Sequence, residues 1–187
     1  MLSLIKIDRR QALEDSYSRN MSLPWLRMKS PMISEDQLVF YDSLRNDPTR
    51  SFYHIYSDTD ACIVGICGLT DITTEAENPS AEFSLLIYPM YREFGYGEEA
   101  LRKLLDLGFE TLDTIYGETF LYPADSTYGM IFTHNEEVFS INPAWKIFNR
   151  IGFNIDGVLR KRNVKYGRCI DSLVFSMSRE RWKELKK

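Results

Sequence analysis

The residues most suited to chemistry in this sequence form one short run: Arg92, Glu93, Phe94, Gly95, Tyr96 and Gly97. The run lies between an apolar segment that ends at Pro89 and a helical pattern that begins near Glu98. Glycine has no Cβ, so the backbone at Gly95 and Gly97 can take positive φ and let an anion approach the main-chain N–H groups. The following helix adds the partial positive charge of its N-terminus. The pattern therefore predicts a phosphate-binding turn between a strand and a helix.

A carboxylate precedes this turn, on a predicted strand from Ala81 to Pro89. Alternation places Phe83, Leu85 and Ile87 on one face and Glu82 on the other. If Glu82 is desolvated there, its pKa rises towards that of a useful general base. The other interpretation is an exposed side chain, since acids are ordinarily solvated. After the turn, apolar residues recur at helical spacing and predict a core-facing stripe: Leu101, Leu104, Leu105, Phe109 and Leu112.

This unit of strand, anion turn and helix, followed by a strand from Thr114 to Leu121, resembles the acetyl-CoA-binding core of the GNAT superfamily of N-acetyltransferases. The family pattern is Arg or Gln, two residues, Gly, one residue, then Gly or Ala, and Arg92, Gly95 and Gly97 match it in register. The sequence from Tyr91 to Leu101 also looks like the branch that contains ribosomal-protein N-terminal acetyltransferases. The resemblance implies an α/β (α+β) fold with a mixed, splayed, mostly antiparallel sheet of about seven strands flanked by helices.

The resemblance extends over roughly Phe52 to Met177. It implies a hairpin upstream of the core, and a helix and two closing strands downstream. Their predicted ranges are Ser51 to Ser57 and Ala61 to Ile72 for the hairpin, Ala144 to Phe153 for the helix, and Phe153 to Lys165 and Arg168 to Met177 for the closing strands.

The chemistry that the resemblance implies is acetyl transfer from acetyl-CoA to a primary amine by direct attack. It assigns Glu82 as the general base and a backbone N–H near Ile87 as the oxyanion donor. Many relatives have a tyrosine that protonates the thiolate where this sequence has Phe148, so other tyrosines are candidates for that role: Tyr116, Tyr122 and Tyr128. The residues expected to bind acetyl-CoA are Leu86, Ile87, the run from Arg92 to Gly97, Asn142 and Phe148.

The segment from Tyr122 to Ile141 is longer than the family's usual connection to the next helix. A loop of this length in a compact domain is uncommon and is often a lid, a binding loop or an oligomer contact. It contains His134, which has no second ligand at metal-binding spacing, so the sequence predicts substrate or partner contact and no metal. The residues expected to contact the acceptor are Trp25, Tyr122 and His134.

Two helices are predicted before the core, from Gln11 to Asn20 and from Ser34 to Asn46. Ser34 is the expected N-cap of the second helix. Between them lies an apolar, proline-broken loop from Met21 to Met28. The loop, which contains Trp25, is either a packed plug or a wall of the acceptor pocket, since functional loops carry such aromatic residues.

Composition indicates one domain over residues 1–187, and 44% hydrophobic content argues against disorder. The net charge of −4 makes binding to nucleic-acid backbones unexpected, whereas a cationic amine suits an acidic protein. The three cysteines are expected to be buried thiols, and there is no signal-peptide or transmembrane pattern, so a cytoplasmic location is predicted. A basic run from Arg160 to Arg168 is either a solvated hairpin tip or a contact to CoA phosphates or to an anionic substrate.

Two acceptor classes stay open, a protein N-terminus and a small amine such as an amino sugar. A homodimer is a further expectation. The alternative from another class is a non-catalytic acyl-CoA-binding or protein-interaction module that has lost turnover. The absence of tyrosine at Phe148 favours that alternative, and the presence of Glu82 opposes it.

Overall fold

The structure is a computed structural model that describes residues 1–28, 30–127 and 129–187. The strands in these ranges are β1 (Leu2–Lys6), β2 (Ser51–Ser57), β3 (Cys62–Thr73), β4 (Ser80–Ile87), β5 (Thr114–Pro123), β6 (Met130–His134), β7 (Glu137–Ile141), β8 (Asn154–Lys165) and β9 (Arg168–Ser178). The α-helices are α1 (Ala12–Met21), α2 (Ser34–Ser43), α3 (Tyr96–Gly108), α4 (Trp145–Ile151) and α5 (Arg179–Leu185).

The strands form one sheet in the order β1, β2, β3, β4, β5, β7, β6, and β9 lies on the other edge of β5 with β8 beyond it. Neighbouring strands are antiparallel except β4 and β5, which are parallel. The predicted fold class is therefore confirmed. The described residues form nine strands rather than about seven, because the segment predicted as a long loop folds into the hairpin of β6 and β7.

The functional feature of this sheet is a separation of β4 from β5. The two strands pair only where Ser80–Glu82 meets Thr114–Tyr116. Further along the same edge of β5, the partner is β7, which pairs at Leu121–Pro123. The other edge of β5 is covered by β9 from Thr114 to Leu121. The edge of β5 at residues 117–120 therefore faces a gap between β4 and β7.

Helix α3 packs the first part of its predicted apolar stripe against the sheet, with Leu101, Leu104 and Leu105 fully buried. Phe109 and Leu112, the last residues of that stripe, are also buried but follow the end of the helix. On the opposite side of the gap, an aromatic cluster fills the space between the sheet and α4: Phe83, Phe148, Phe153 and Phe175. The ring centroids of Phe148 and Phe175 are 5.1 Å apart, within the range of favourable aromatic pairs. This cluster fixes α4 beside the separated strands.

Helices α1 and α2 are attached to the sheet by a buried polar network around Asp15. The Asp15 carboxylate accepts hydrogen bonds from the hydroxyls of Tyr41 and Tyr88 and from His54 Nε2, the last at 2.9 Å. His54 Nδ1 accepts the backbone N–H of Asp8 at 2.9 Å. Burial raises the pKa of both tyrosines, and the Asp15 charge raises it further. The network satisfies the buried carboxylate and holds α1 over β2 and β4.

The start of α2 differs from its predicted cap. The helix begins at Ser34, and the residue in the N-cap position is Ile33. Asp36, at the third helical position, accepts the backbone N–H of Ile33 at 3.1 Å, which is the reciprocal half of a capping box. The Ser34 hydroxyl instead donates to Glu35 at 3.0 Å.

Candidate active site

A cleft of about 920 Å³ opens where β4 and β5 separate. The predicted site residues that line it are Trp25, Glu82, Leu86, Ile87, Arg92, Glu93, Gly95, Gly97, Asn142 and Phe148. These residues come from the loop after α1, strand β4, the turn before α3 and helix α4 with the turn that precedes it. The fold therefore gathers most of the predicted cofactor residues and the predicted base around one space.

Four other predicted site residues do not line this cleft. Phe94 is 69% exposed and stacks on the ring of Tyr96, whose hydroxyl donates to Asp60. His134 lies on β6, where its ring stacks on Phe132. Tyr122 packs edge-on against the Trp25 ring. The proposed roles of these side chains remain predictions, and Tyr128 lies outside the described residues.

The cradle, defined here as residues 92–97, has the backbone geometry of an anion-binding turn. Glu93 and Gly95 both have left-handed backbone conformations, with φ of 70° and 83°, and α3 begins directly afterwards at Tyr96. Alternating right- and left-handed residues turn successive N–H groups into a concave surface. The first N–H groups of α3 have no carbonyl partner within the helix. The cradle therefore offers main-chain donors together with a helix N-terminus.

Gly97 has another role from the one expected of it. Its φ is not positive, so the prediction that it supplies a left-handed backbone is wrong. A Cβ at this position would lie 3.0 Å from Ile147 Cδ1 and 3.6 Å from Ile87 Cγ1. Gly97 therefore allows the first turn of α3 to pack closely against β4 and α4.

The cradle end of the cleft is rich in cations. Arg92 Nη2 donates to Ser22 Oγ at 2.8 Å and its Nε donates to the Ile87 carbonyl at 3.3 Å. Burial lowers the pKa of Arg92 from its ordinary value. Lys146 and Arg150 of α4 line the same end. Glu93 and Glu98 also line the cleft, and Arg150 pairs with Glu98 at 2.9 Å. The three cations outnumber these two acids and the helix N-terminus adds positive charge, so an anionic cofactor is favoured at this end.

The opposite end of the cleft is acidic and contains Glu82. Its side chain is 12% exposed and lies at the last position where β4 pairs with β5. Burial raises the pKa of the Glu82 carboxyl above its ordinary value; the nearby charges of Glu118 and Asp71 raise it further, and Arg27 lowers it. A carboxylate with a raised pKa is better matched to proton transfer near neutral pH.

Arg27 joins the carboxylates of two separated strands. Its Nη2 donates to Glu82 Oε1 and to Glu118 Oε2, the second at 3.0 Å. Glu118 Oε1 accepts from Asn163 Nδ2 at 2.8 Å, which fixes its orientation. Sequence reasoning missed both Arg27 and Glu118. Glu118 carries the same signal as Glu82, an acid in a mostly apolar strand, whereas the loop around Arg27 carries no such signal.

The backbone N–H of Ile87 is directed into the gap. Tyr88 N donates to the Val64 carbonyl of β3 at 2.9 Å. Hydrogen-bond directions alternate along an antiparallel strand, so the neighbouring N–H of Ile87 points to the other edge of β4. That edge has already lost its pairing with β5. The N–H expected to stabilise an oxyanion therefore faces the cleft between the two ends just described.

The acceptor loop, defined here as residues 22–28, is held from behind by β8 and β5. Lys165 Nζ donates to the carbonyls of Leu23 and Met28, the first at 2.9 Å. The Tyr122 hydroxyl donates to the Pro24 carbonyl, and its ring packs edge-on against Trp25 at 5.3 Å. The loop that presents Arg27 to the cleft is therefore anchored on both sides of that residue.

Lys165 belongs to the basic run from Arg160 to Arg168, which was interpreted as a solvated tip or a CoA contact. For Lys165 both interpretations are wrong, because it is 6% exposed and bonded to loop carbonyls. Burial lowers its pKa. Arg160 instead pairs with Asp171 at 2.8 Å and with Glu137 of the inserted hairpin at 2.6 Å.

The inserted hairpin also supports the acceptor loop. Gly129 has φ of 82°, and a Cβ there would lie 2.1 Å from the Ile141 carbonyl oxygen and 2.8 Å from Trp25 Cη2. The entry to β6 therefore lies directly against the Trp25 ring. The insertion thus supports the wall of the cleft from outside.

Phe148 lies between the cleft and the aromatic cluster and has no proton to donate. Among the tyrosines of the described residues, Tyr91 lines the cleft, and its hydroxyl accepts from Cys62 Sγ at 3.1 Å. That hydrogen bond, with burial, raises the pKa of Tyr91 to about 12. Burial and the charge of Glu82 raise the pKa of Tyr116.

The described residues contain no group of three or more His, Cys, Asp or Glu side chains placed to hold a metal ion. In the same ranges no helix is both long and apolar enough to cross a membrane.

Residues 8–154 match the model of the acetyltransferase (GNAT) domain, so this chain belongs to the GNAT acetyltransferase family. It is accordingly an N-acetyltransferase that uses acetyl-CoA. An uncharacterized N-acetyltransferase, p20, of Bacillus licheniformis is 28% identical over 141 residues, which are 75% of this chain and 68% of the relative.

The solved structures that share the fold include two acetyltransferases with bound CoA species. Spermidine N-acetyltransferase from Vibrio cholerae, in complex with CoA and spermine, has a TM-score of 0.76 at 17% identity, over 97% of this chain and 98% of that one. RimJ from Mycobacterium smegmatis, in complex with CoA-disulfide, has a TM-score of 0.75 at 18% identity, over 96% of this chain and 82% of that one. At these identities the similarity shows the fold alone.

Proposed function

We propose that this enzyme transfers the acetyl group of acetyl-CoA to a cationic primary amine, with Glu82 as the general base. The observation that carries the proposal is the position of Glu82. Its carboxylate is buried at the point where β4 and β5 separate, in the same cleft as the cradle. A base, an oxyanion donor and an anion site thus follow one another along one strand and turn.

In the proposed reaction the cradle N–H groups bind the CoA pyrophosphate and the Ile87 N–H faces the thioester carbonyl oxygen. The acceptor enters as an ammonium ion and loses a proton to Glu82. Its free amine attacks the carbonyl carbon, and the resulting oxyanion is stabilised by the Ile87 N–H. The C–S bond then breaks with its electron pair on sulfur, and the second proton of the attacking nitrogen passes to the thiolate, which gives the neutral amide and CoA as the free thiol.

The acidic end of the cleft supports a small, multiply charged amine as acceptor. Glu82 and Glu118 lie there, and Asp71 acts on the same carboxyl through its charge. Trp25 walls this end, which favours a narrow acceptor over a peptide. One structural neighbour is named for spermidine and was solved with spermine. We rank a polyamine-like acceptor first, ahead of an amino sugar and a protein N-terminus.

Replacing Glu82 by Gln tests the base. The amide keeps the size of the side chain but cannot accept the proton, so kcat should fall by about 10² or more while acetyl-CoA binding persists. Activity should recover as pH rises, because free amine then forms without the base. The matched control is Glu118→Gln, which removes the other carboxylate bound to Arg27. Equal kcat losses in both variants, or wild-type turnover in Glu82→Gln across pH 6 to 9, would contradict the role of Glu82.

Three further expectations belong to this proposal. We place residues 1–187 in one domain, because a single sheet connects β1 with β8 and β9. We place the enzyme in the cytoplasm, because its cysteines are free thiols: Cys62, Cys67 and Cys169. The expectation that all three are buried is wrong, since Cys67 is buried, Cys62 is half-buried and Cys169 is exposed. A homodimer stays a prediction that a solution mass measurement tests.

A further inference from the structure

We infer that Arg27 is an internal substitute for the acceptor, and that the acceptor ammonium must displace its guanidinium to reach Glu82. This inference deepens the proposed function and rests on it. It makes Arg27 and Glu118 specificity-determining residues of the acceptor site.

The first observation is the way in which the guanidinium is bound. One atom, Arg27 Nη2, donates to both Glu82 and Glu118. The two carboxylate side chains are 12% and 8% exposed, whereas the Arg27 side chain is 52% exposed. The arginine therefore covers buried acids from the open side of the cleft, which is the side from which an acceptor would arrive.

The second observation concerns charge. Two buried carboxylates close enough to share one donor repel each other and require a cation. A primary ammonium carries three N–H donors and is more compact than a guanidinium, so it can replace Nη2 between the same two oxygens. The site is therefore occupied by a cation before and after the acceptor enters.

The third observation is the anchoring of the acceptor loop. The carbonyls of Leu23, Pro24 and Met28 are bound by Lys165 and Tyr122, so the backbone is fixed on both sides of Arg27. Exchange can then occur through rotation of the long Arg27 side chain without movement of the loop. The arginine returns to the carboxylates when the product leaves, because the neutral acetamide no longer competes for them.

The exchange selects a class of acceptor. A neutral compound cannot replace the guanidinium, because it would leave two carboxylates without a counter-charge. An α-amino acid is also disfavoured, because its own carboxylate would lie close to Glu118. Alkyl diamines and polyamines meet both conditions.

The test uses Arg27→Met, which keeps an apolar stem and removes the charge. The KM for 1,4-diaminobutane should fall by about fivefold, as expected for removal of a competing, half-exposed ion pair. Methylguanidinium should inhibit Arg27→Met competitively with the diamine. Its inhibition constant should be at least about fivefold higher for the wild type, because there Arg27 competes for the same carboxylates. The acid limb of kcat/KM should move to higher pH, because the interaction that lowers the Glu82 pKa is lost.

The controls separate this exchange from a structural role. Arg9→Met removes an arginine that pairs with Asp42 and does not line the cleft, and it should not create methylguanidinium inhibition. Arg27→Lys restores a cation and should resist methylguanidinium as the wild type does. If Arg27→Met fails to fold, the methylguanidinium assay on Arg27→Lys still tests the inference. A raised KM for the diamine in folded Arg27→Met would overturn the inference. So would strong methylguanidinium binding by Arg27→Lys, at the level expected only for Arg27→Met.

Calorimetry distinguishes this inference from the proposed function. Methylguanidinium should bind Arg27→Met without any substrate, and the additional change Glu118→Gln should weaken that binding. If Glu82→Gln keeps full turnover while this binding pattern holds, the base assignment fails and the cation site stands. Absence of binding to folded Arg27→Met overturns the cation site whatever Glu82 does.

Discussion

The two ends of the cleft are built in different ways. The cradle end is formed by consecutive residues, from Arg92 to Gly97, and its donors are mostly main-chain N–H groups. The acceptor end is formed by side chains from four segments that are distant in sequence: Arg27, Glu82, Glu118 and Asn163. One end is cationic and the other acidic. We therefore expect cofactor binding to depend on local backbone geometry and acceptor choice to depend on tertiary contacts.

The largest effect outside the base itself should come from the cradle, through Gly95→Val. Gly95 has φ of 83°, and a β-branched residue there is strained or forces the turn to change. The N–H groups that face the pyrophosphate would then be misdirected. We expect the Kd for acetyl-CoA to rise by about tenfold or more, in line with a cost of about 1 to 2 kcal/mol in the turn.

A matched control for this variant is Gly167→Val in the turn between β8 and β9. Gly167 has φ of 74°, and, as at Gly95, an added Cβ meets no described atom within 4 Å. It carries similar backbone strain but does not line the cleft. Calorimetry on both folded variants should show weakened acetyl-CoA binding only for Gly95→Val. Equal affinity in the two variants would remove the cradle assignment.

A smaller effect, confined to the acceptor end, should follow Lys165→Met. The substitution removes the two donors to the Leu23 and Met28 carbonyls and loosens the acceptor loop. We expect the acceptor KM to rise by about threefold to tenfold, as for loss of one or two hydrogen bonds from a charged donor. The Kd for acetyl-CoA should not change. A variant with weaker acetyl-CoA binding and unchanged acceptor KM would mean that the two ends are not separable.

The smallest effect should come from the tip of the inserted hairpin. Replacing residues 133–138 by Asn-Gly leaves Phe132 and Phe139 paired across a two-residue turn and removes His134. Because His134 does not line the cleft, kcat and both KM values should stay within about twofold, the usual range for changes at exposed positions. A larger rise in acceptor KM would instead place the tip at the acceptor, as the sequence suggested.

Local patterns predicted much of this protein because they have local physical causes. The glycine at position 95 has a left-handed backbone, the alternation of β4 puts Glu82 on the face opposite Phe83, and the apolar spacing of α3 matches the face that packs on the sheet. These features depend on residues that are near each other in the chain. They also carry the resemblance to the GNAT family, which implied the fold class, the cofactor and the proposed base.

The missed features depend on contacts between distant segments. Arg27 binds two carboxylates only because β4 and β5 bring Glu82 and Glu118 close together. No spacing in the sequence predicts that contact. Lys165 resembles any other cation of a basic run until the fold places two loop carbonyls beside it.

The same distinction holds for the insertion. Its length marked it as unusual. The pairing of β7 with β5 and the contact of Gly129 with Trp25, however, are contacts between segments that are distant in sequence. The sequence by itself thus determined the turn, the helix stripe and the strand face that carries Glu82, because backbone conformation and side-chain alternation are short-range properties. Only the tertiary structure decided that Arg27 pairs with Glu82 and Glu118 and that Lys165 holds the acceptor loop. The reason is that charged groups interact with any residues that the fold brings within a few ångströms.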